Sequence, residues 1–189
     1  MTRRMTNVCE NGNAKKILIV SYSYSGNTHR IAEEIRMAVG GDSYTIFPWQ
    51  PYPMEFSELL RQVKEEVKTK YRPRLLPVNV VSANYDIIFA GSPNWCGTIA
   101  PPLYSWLYYS KLDGKIILPF VSHCGGTQGD IQKDISRLCP KSEVRETLYV
   151  LDSTLDDGRT FPDLLARWLE KNQIPHKKKG KENDDKRLV

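Results

Sequence analysis

Five apolar runs, each followed by a stretch with helical character, constrain this chain of 189 residues more than any other feature. Lys15 to Tyr22 (KKILIVSY), Ser43 to Phe47, Tyr85 to Gly91 (YDIIFAG), Lys115 to Ser122 (KIILPFVS) and Val144 to Leu151 read as strands. The first and third carry apolar residues without polar alternation, the pattern of a strand covered on both faces. Thr28 to Val39 places Ile31, Ala32, Ile35 and Ala38 at helical spacing and stops at Gly40-Gly41. Glu58 to Lys70, Pro102 to Tyr109 and Gln128 to Leu138 read as further helices, and Phe161 to Asn172 puts Leu164, Leu165, Trp168 and Leu169 on one face. Strand and helix alternating in this way predict an α/β domain, with a five-stranded parallel sheet, right-handed crossovers and helices on both faces.

The length suits one such domain, expected over residues 15–174, with residues 1–14 and the polar run 175–189 as disordered ends. The formal charge of +5 suggests a polyanionic partner until it is located. Nineteen basic and eighteen acidic residues lie between Lys15 and Pro175, so most of the excess sits in the tail HKKKGKENDDKRLV. Nucleic acid is therefore not an expected partner, and a membrane is not one either, because no apolar run approaches a span. The four cysteines at 9, 96, 124 and 139 lack zinc-site spacing and read as reduced thiols. With no signal peptide visible, a cytoplasmic protein is expected.

In a parallel sheet of this kind, ligands sit beyond the carboxyl ends of the strands, which directs attention to three loops. After the first strand, Ser23 to Thr28 offers hydroxyls, an amide and a glycine where a helix opens. One cap needs one such residue, whereas a run of them supplies oriented N–H groups for an anion. The segment is neither a P-loop nor a dinucleotide fingerprint, since Gly-Lys-Ser/Thr and the glycine triplet are both absent. After the third strand, GSPNWCGTIAPP sets Trp95 among turn formers, where a flat ring suits stacking on another π-system. After the fourth, SHCGGTQG bends the backbone through consecutive glycines and can present main-chain groups to a planar edge.

These three segments, SYSGNTHRIAEEI, GSPNWCGTIAPP and GKIILPFVSHCGGTQGD, resemble the phosphate loop and the two flavin loops of the flavodoxin family, in the same order and spacing from Lys15 to about Gln173. PYP at 51–53 and RPRL at 72–75 resemble a bacterial branch with a longer connection after strand two. The resemblance implies a flavodoxin-like three-layer sandwich with strand order 2-1-3-4-5 and flavin mononucleotide (FMN) as cofactor. It further implies that Ser23, Tyr24, Ser25, Gly26, Asn27 and Thr28 wrap the phosphate. Pro93, Asn94, Trp95 and Gly97 would line one side of the isoalloxazine, and Ser122, His123, Cys124 and Gly125 its pyrimidine edge.

The chain departs from the family pattern in three ways. Ser21 stands where an aromatic is usual, the domain is nearly neutral where electron-carrying members are acidic, and the last flavin loop lacks a ring-stacking aromatic, for which Trp49 or Tyr52 could substitute. The implied function is electron transfer through FMN, with reductase and acceptor proteins or a small quinone-like acceptor as partners, as a monomer or dimer. The alternative is an NAD(P)H-dependent quinone reductase, in which Arg72 and Arg74 could hold an adenosine phosphate. A phosphate-switched receiver is excluded, because Ser21 to Asn27 contains no acidic residue. His123 reads as a hydrogen-bonding loop residue, and Cys96 with Cys124 could form a redox-sensitive pair only if their Cα atoms lie within about 7 Å.

Overall fold

The structure is a computed structural model that describes residues 15–126 and 129–177. Five helices and seven strand segments alternate along it: β1 (Ile17–Ser21), α1 (Asn27–Val39), β2 (Asp42–Thr45), α2 (Phe56–Thr69), β3 (Ile87–Trp95), β4 (Thr98–Ile99), α3 (Pro101–Tyr109), β5 (Ile116–His123), α4 (Ile131–Leu138), β6 (Glu143–Val144), β7 (Leu148–Leu151) and α5 (Thr160–Lys171). The sheet runs β2-β1-β3-β5, followed by β6 and β7 end to end beside β5, and all of these pairings are parallel. With β6 and β7 taken as one interrupted strand, this is the expected order.

Alternate residues of each central strand feed two separate cores, which is why these strands show no polar alternation. Leu18, Val20, Ile88, Ala90, Ile117 and Val121 pack under α2, α3 and α4. Ile19, Phe89, Leu118 and Phe120 pack under α1 and α5, where Ile31, Ile35, Leu165 and Trp168 meet them. Where the sheet is most crowded a side chain is missing by necessity: a Cβ on Gly91 would lie 2.2 Å from the ring of Phe120 across the β3–β5 ladder.

Helix starts follow local chemistry. Glu55 caps α2 by accepting from the N–H groups of Ser57 and Glu58, and Asp130 caps α4 by accepting from Lys133. The Asp130 cap moves the start of α4 to Ile131 from the expected Gln128, a residue outside the description. Pro101 and Pro102 open α3, where an absent N–H costs nothing.

The fifth strand, expected to be continuous from Val144 to Leu151, is interrupted. Ile117 pairs with Val144 and Phe120 with Leu148, so the outer strand carries one residue more than β5 over this interval, a β-bulge. Pro119 explains its position. Ile117 accepts from the N–H of Arg145, so every second residue of β5 from there faces the outer strand, and the donor that proline lacks would face the bulge.

Chain packing continues to the end of the description, where Ile174 is buried and the N–H of Lys177 donates to Ala38. The ends expected at residues 1–14 and 175–189 lie outside the described residues, apart from 175–177. Among the described residues, no helix is long and apolar enough to cross a membrane.

Candidate functional site

All three loops singled out in the sequence lie together beyond the carboxyl ends of β1, β3 and β5, as parallel pairing requires. They are tied to one another by specific contacts. The Tyr22 N–H donates to Gly91 at 3.0 Å, joining the end of β1 to β3. The buried hydroxyls of Thr28 and Ser122 lie 2.8 Å apart and link the start of α1 to β5. Tyr24 touches Trp95 at a ring separation of 5.8 Å, which places the first loop against the second.

The first loop leaves its helix open. Gly26 stands at the N-cap of α1 with φ 94°, and no side chain caps the helix. The Gly26 N–H donates to the Ser23 hydroxyl oxygen at 3.1 Å, and Ser25 and Gly26 are exposed. The first turn carries no acidic residue, and space around Gly26 is open for 4 Å beyond an imagined Cβ. Unlike α2 and α4, which carboxylates close, α1 therefore presents free N–H groups and the positive end of its dipole to whatever lies above it. This end of the helix fits a phosphate group.

The second loop is a hairpin rather than the irregular loop its sequence suggested. β3 continues through Pro93, Asn94 and Trp95, then turns at Cys96 and Gly97 to run back as β4. Both turn residues have positive φ, 53° and 81°, as a two-residue type I′ turn demands. The Asn94 amide oxygen accepts from the Gly97 N–H, and Thr98 donates to Asp134 of α4 at 2.7 Å, which anchors the hairpin tip. Gly97 thus serves the turn, and the third loop passes so close that a Cβ on Gly129 would meet its carbonyl at 1.6 Å.

Trp95 is half-buried at the centre of an aromatic cluster, with Tyr22 at 5.6 Å, Tyr24 at 5.8 Å and Tyr52 at 4.9 Å, all edge-on. Tyr24 donates to the Pro53 carbonyl at 2.7 Å. Tyr52 donates to Glu66 at 2.6 Å, and the other oxygen of that carboxylate accepts from Gln62. Burial, first of all, drives the phenol pKa values of Tyr22 and Tyr52 well upward, so both remain neutral. Of the two aromatics expected to complement Trp95, Tyr52 braces it from within. Trp49 lies outside, under the guanidinium of Arg74.

In the third loop His123 is half-buried, and its Nδ1 accepts from the Gly125 N–H at 3.1 Å. Gly125 and Gly126 are exposed, with positive φ and open space around them. Cys124 is also exposed and donates to Asp152 at 3.3 Å. That hydrogen bond, then partial burial and the carboxylate charge, raise the thiol pKa. Cys96 and Cys124 are both free thiols.

A fourth segment escaped the sequence reading. The turn after β7 supplies Asp152 to Cys124 and Asp156 to Arg30, whose guanidinium is 2.7 Å away, so it bridges the third loop and the first turns of α1. Beside the hairpin, a cavity of about 410 Å³ opens between Cys96–Ile99, the end of α2 and α4.

A flavodoxin family model matches residues 16–172 of the chain. Among solved structures, a protein of Bacteroides eggerthii provisionally named a flavoprotein aligns with a TM-score of 0.70 at 24% identity, over 85% of this chain and 99% of the other. A flavoprotein of Lactobacillus acidophilus, solved in complex with FMN, aligns with a TM-score of 0.62 at 21% identity over 77% and 98%. The apo form of the NADH:FMN oxidoreductase EMOB aligns with a TM-score of 0.51 at 15% identity over 86% and 94%. At such identities these likenesses establish the fold. No curated protein matches the chain.

Proposed function

The chain belongs to the flavodoxin family, and from that premise we propose that it binds FMN across the ends of β1, β3 and β5 and serves as an electron carrier. Bound there, the flavin would supply the redox chemistry.

The protein's part is to hold and orient it. Ser23, Tyr24, Ser25, Gly26, Asn27 and Thr28 are the candidate phosphate cradle, with the open N-terminus of α1 favouring a dianion. Thr28 contributes through its main chain, because its hydroxyl is engaged with Ser122. Trp95, with Pro93 and Asn94 beneath it, offers the ring wall. His123 and Cys124 offer main-chain groups to the ring's polar edge, Gly125 offers its carbonyl because its N–H donates to His123 Nδ1, and Gly97 and Ser122 support the two loops. No side chain need exchange a proton with the ring.

The observation that carries this reading is the junction of an uncapped, acid-free helix start with Trp95 through Tyr24. The absorption spectrum of the purified protein, before and after FMN addition, tests it. A bound-flavin spectrum with one FMN per chain supports the proposal, and a protein that never takes up FMN refutes it. NADPH oxidation by the FMN-loaded protein with a quinone acceptor separates a reductase, which turns over, from a carrier, which needs a separate protein donor.

A further inference from the structure

We propose that the face formed by α2 from Arg61 onward and the extended segment after it docks an acidic one-electron redox protein. The inference rests on the carrier reading above. Residues 61–74 hold six basic residues, Arg61, Lys64, Lys68, Lys70, Arg72 and Arg74, against two acidic ones, in a domain otherwise slightly acidic. All six are exposed, and none is in an ion pair among the described residues. Of the two acids, Glu66 is turned inward, with both oxygens occupied by Tyr52 and Gln62. A cationic stripe without ion-pair partners among the described residues is complementary to a carboxylate-bearing surface.

The two arginines are held ready for such a surface. Arg72 lies over the ring of Tyr108 at 4.1 Å and Arg74 over Trp49 at 4.5 Å, and both rings are about half exposed. A stacked guanidinium keeps its in-plane N–H fork free for a carboxylate and loses less freedom on pairing. Arginine beside tryptophan and tyrosine is also the composition in which interface energy concentrates. Nucleic acid fits less well, because guanidinium groups already occupy ring faces that unpaired bases would need.

Position adds the functional argument. Trp49 and Tyr52 wall one cavity of about 340 Å³, and Tyr52 packs at 4.9 Å on Trp95. The docking face therefore starts one aromatic layer from the candidate flavin site. In the exchange one electron would pass from the partner's reduced metal centre to the bound flavin, and any proton taken up would come from solvent.

Stopped-flow mixing of oxidised, FMN-loaded protein with a reduced plant-type iron–sulfur ferredoxin, an acidic probe, tests the proposal. Loading is verified first by spectrum, so failure to hold FMN counts against the carrier reading and not against this face. The expected rate falls about tenfold or more as salt rises, and by a similar factor at low salt in Arg72→Glu/Arg74→Glu. Lys64→Glu/Lys68→Glu, on exposed helix positions, provides a second variant with the same expected direction. Reduction of cytochrome c, a basic acceptor, should be flat or faster with salt. Salt-independent exchange with ferredoxin that neither double variant alters would overturn the proposal. So would duplex DNA binding that both variants abolish while the ferredoxin rate stays unchanged.

Discussion

Tyr52 meets the ring of Trp95 edge-on at 4.9 Å while donating its hydroxyl to Glu66 at 2.6 Å. The hydrogen bond fixes the tyrosine, and the tyrosine fixes the indole that faces the candidate ligand site. Tyr52→Phe keeps the ring but leaves a carboxylate oxygen short of a donor, and should cost about 1–3 kcal/mol in urea unfolding with little change in FMN affinity. Tyr52→Ala removes the brace, should cost about 3–5 kcal/mol and should weaken FMN binding as well. An alanine variant that binds FMN as tightly as wild type would show that Trp95 needs no such support.

The same cluster sets an alkaline limit on stability. Tyr22 and Tyr52 have phenol pKa values raised above the ordinary 10.0, chiefly by burial. In the unfolded chain they lose protons near that ordinary value, so above it the unfolded state binds fewer protons than the folded state. Stability is complete below this pH and falls as pH rises past it. Urea midpoints should be level from about pH 8 to about pH 10 and then drop, with two tyrosines ionising only on unfolding. A full tyrosine titration in the folded protein would contradict the burial argument.

Thr28 and Ser122 bring together two loops that are 94 residues apart in the chain. Removing either hydroxyl strands the other in a buried site, so Thr28→Val and Ser122→Ala should each cost about 1–3 kcal/mol. The double variant should cost less than the sum of the two, since neither hydroxyl is then left unpaired. Strict additivity in urea unfolding would mean the pair does not interact.

The Cys124 thiol donates to Asp152, and that contact holds its pKa up. Asp152→Asn removes the charge, lowers the thiol pKa and increases the thiolate fraction at mildly alkaline pH. Alkylation of Cys124 by iodoacetamide, followed by mass spectrometry, should therefore speed up in the variant. Unchanged or slower labelling would place the cause of the shift elsewhere.

Much of this architecture was legible because the strands are buried on both faces and therefore lack polar alternation, so Leu18, Ile19 and Val20 announce a central parallel strand. The three loops were legible because helix-opening small residues and glycine turns have few uses at a strand's end. The hairpin at Cys96–Gly97 was not, since Pro93 reads as a strand breaker and a cysteine at positive φ has no sequence signature. The bulge opposite Pro119 was hidden by the apolar run around it, although a proline in an inner strand was its one available signal. Tyr52 with Glu66, and Cys124 with Asp152, meet only through tertiary packing. The basic stripe at 61–74 vanished in the domain total because acidic residues elsewhere offset it.

The central claim is that the open N-terminus of α1 and the loop before it hold a phosphate, while Trp95 lies against the attached ring. Parallel fluorescence titrations of the apoprotein with FMN and with riboflavin, which lacks the phosphate, test this most directly. The account predicts stoichiometric quenching of FMN and riboflavin binding weaker by about 100-fold or more, from the loss of several charge-assisted hydrogen bonds. Equal affinity for the two flavins, or FMN that keeps its full fluorescence, would contradict it.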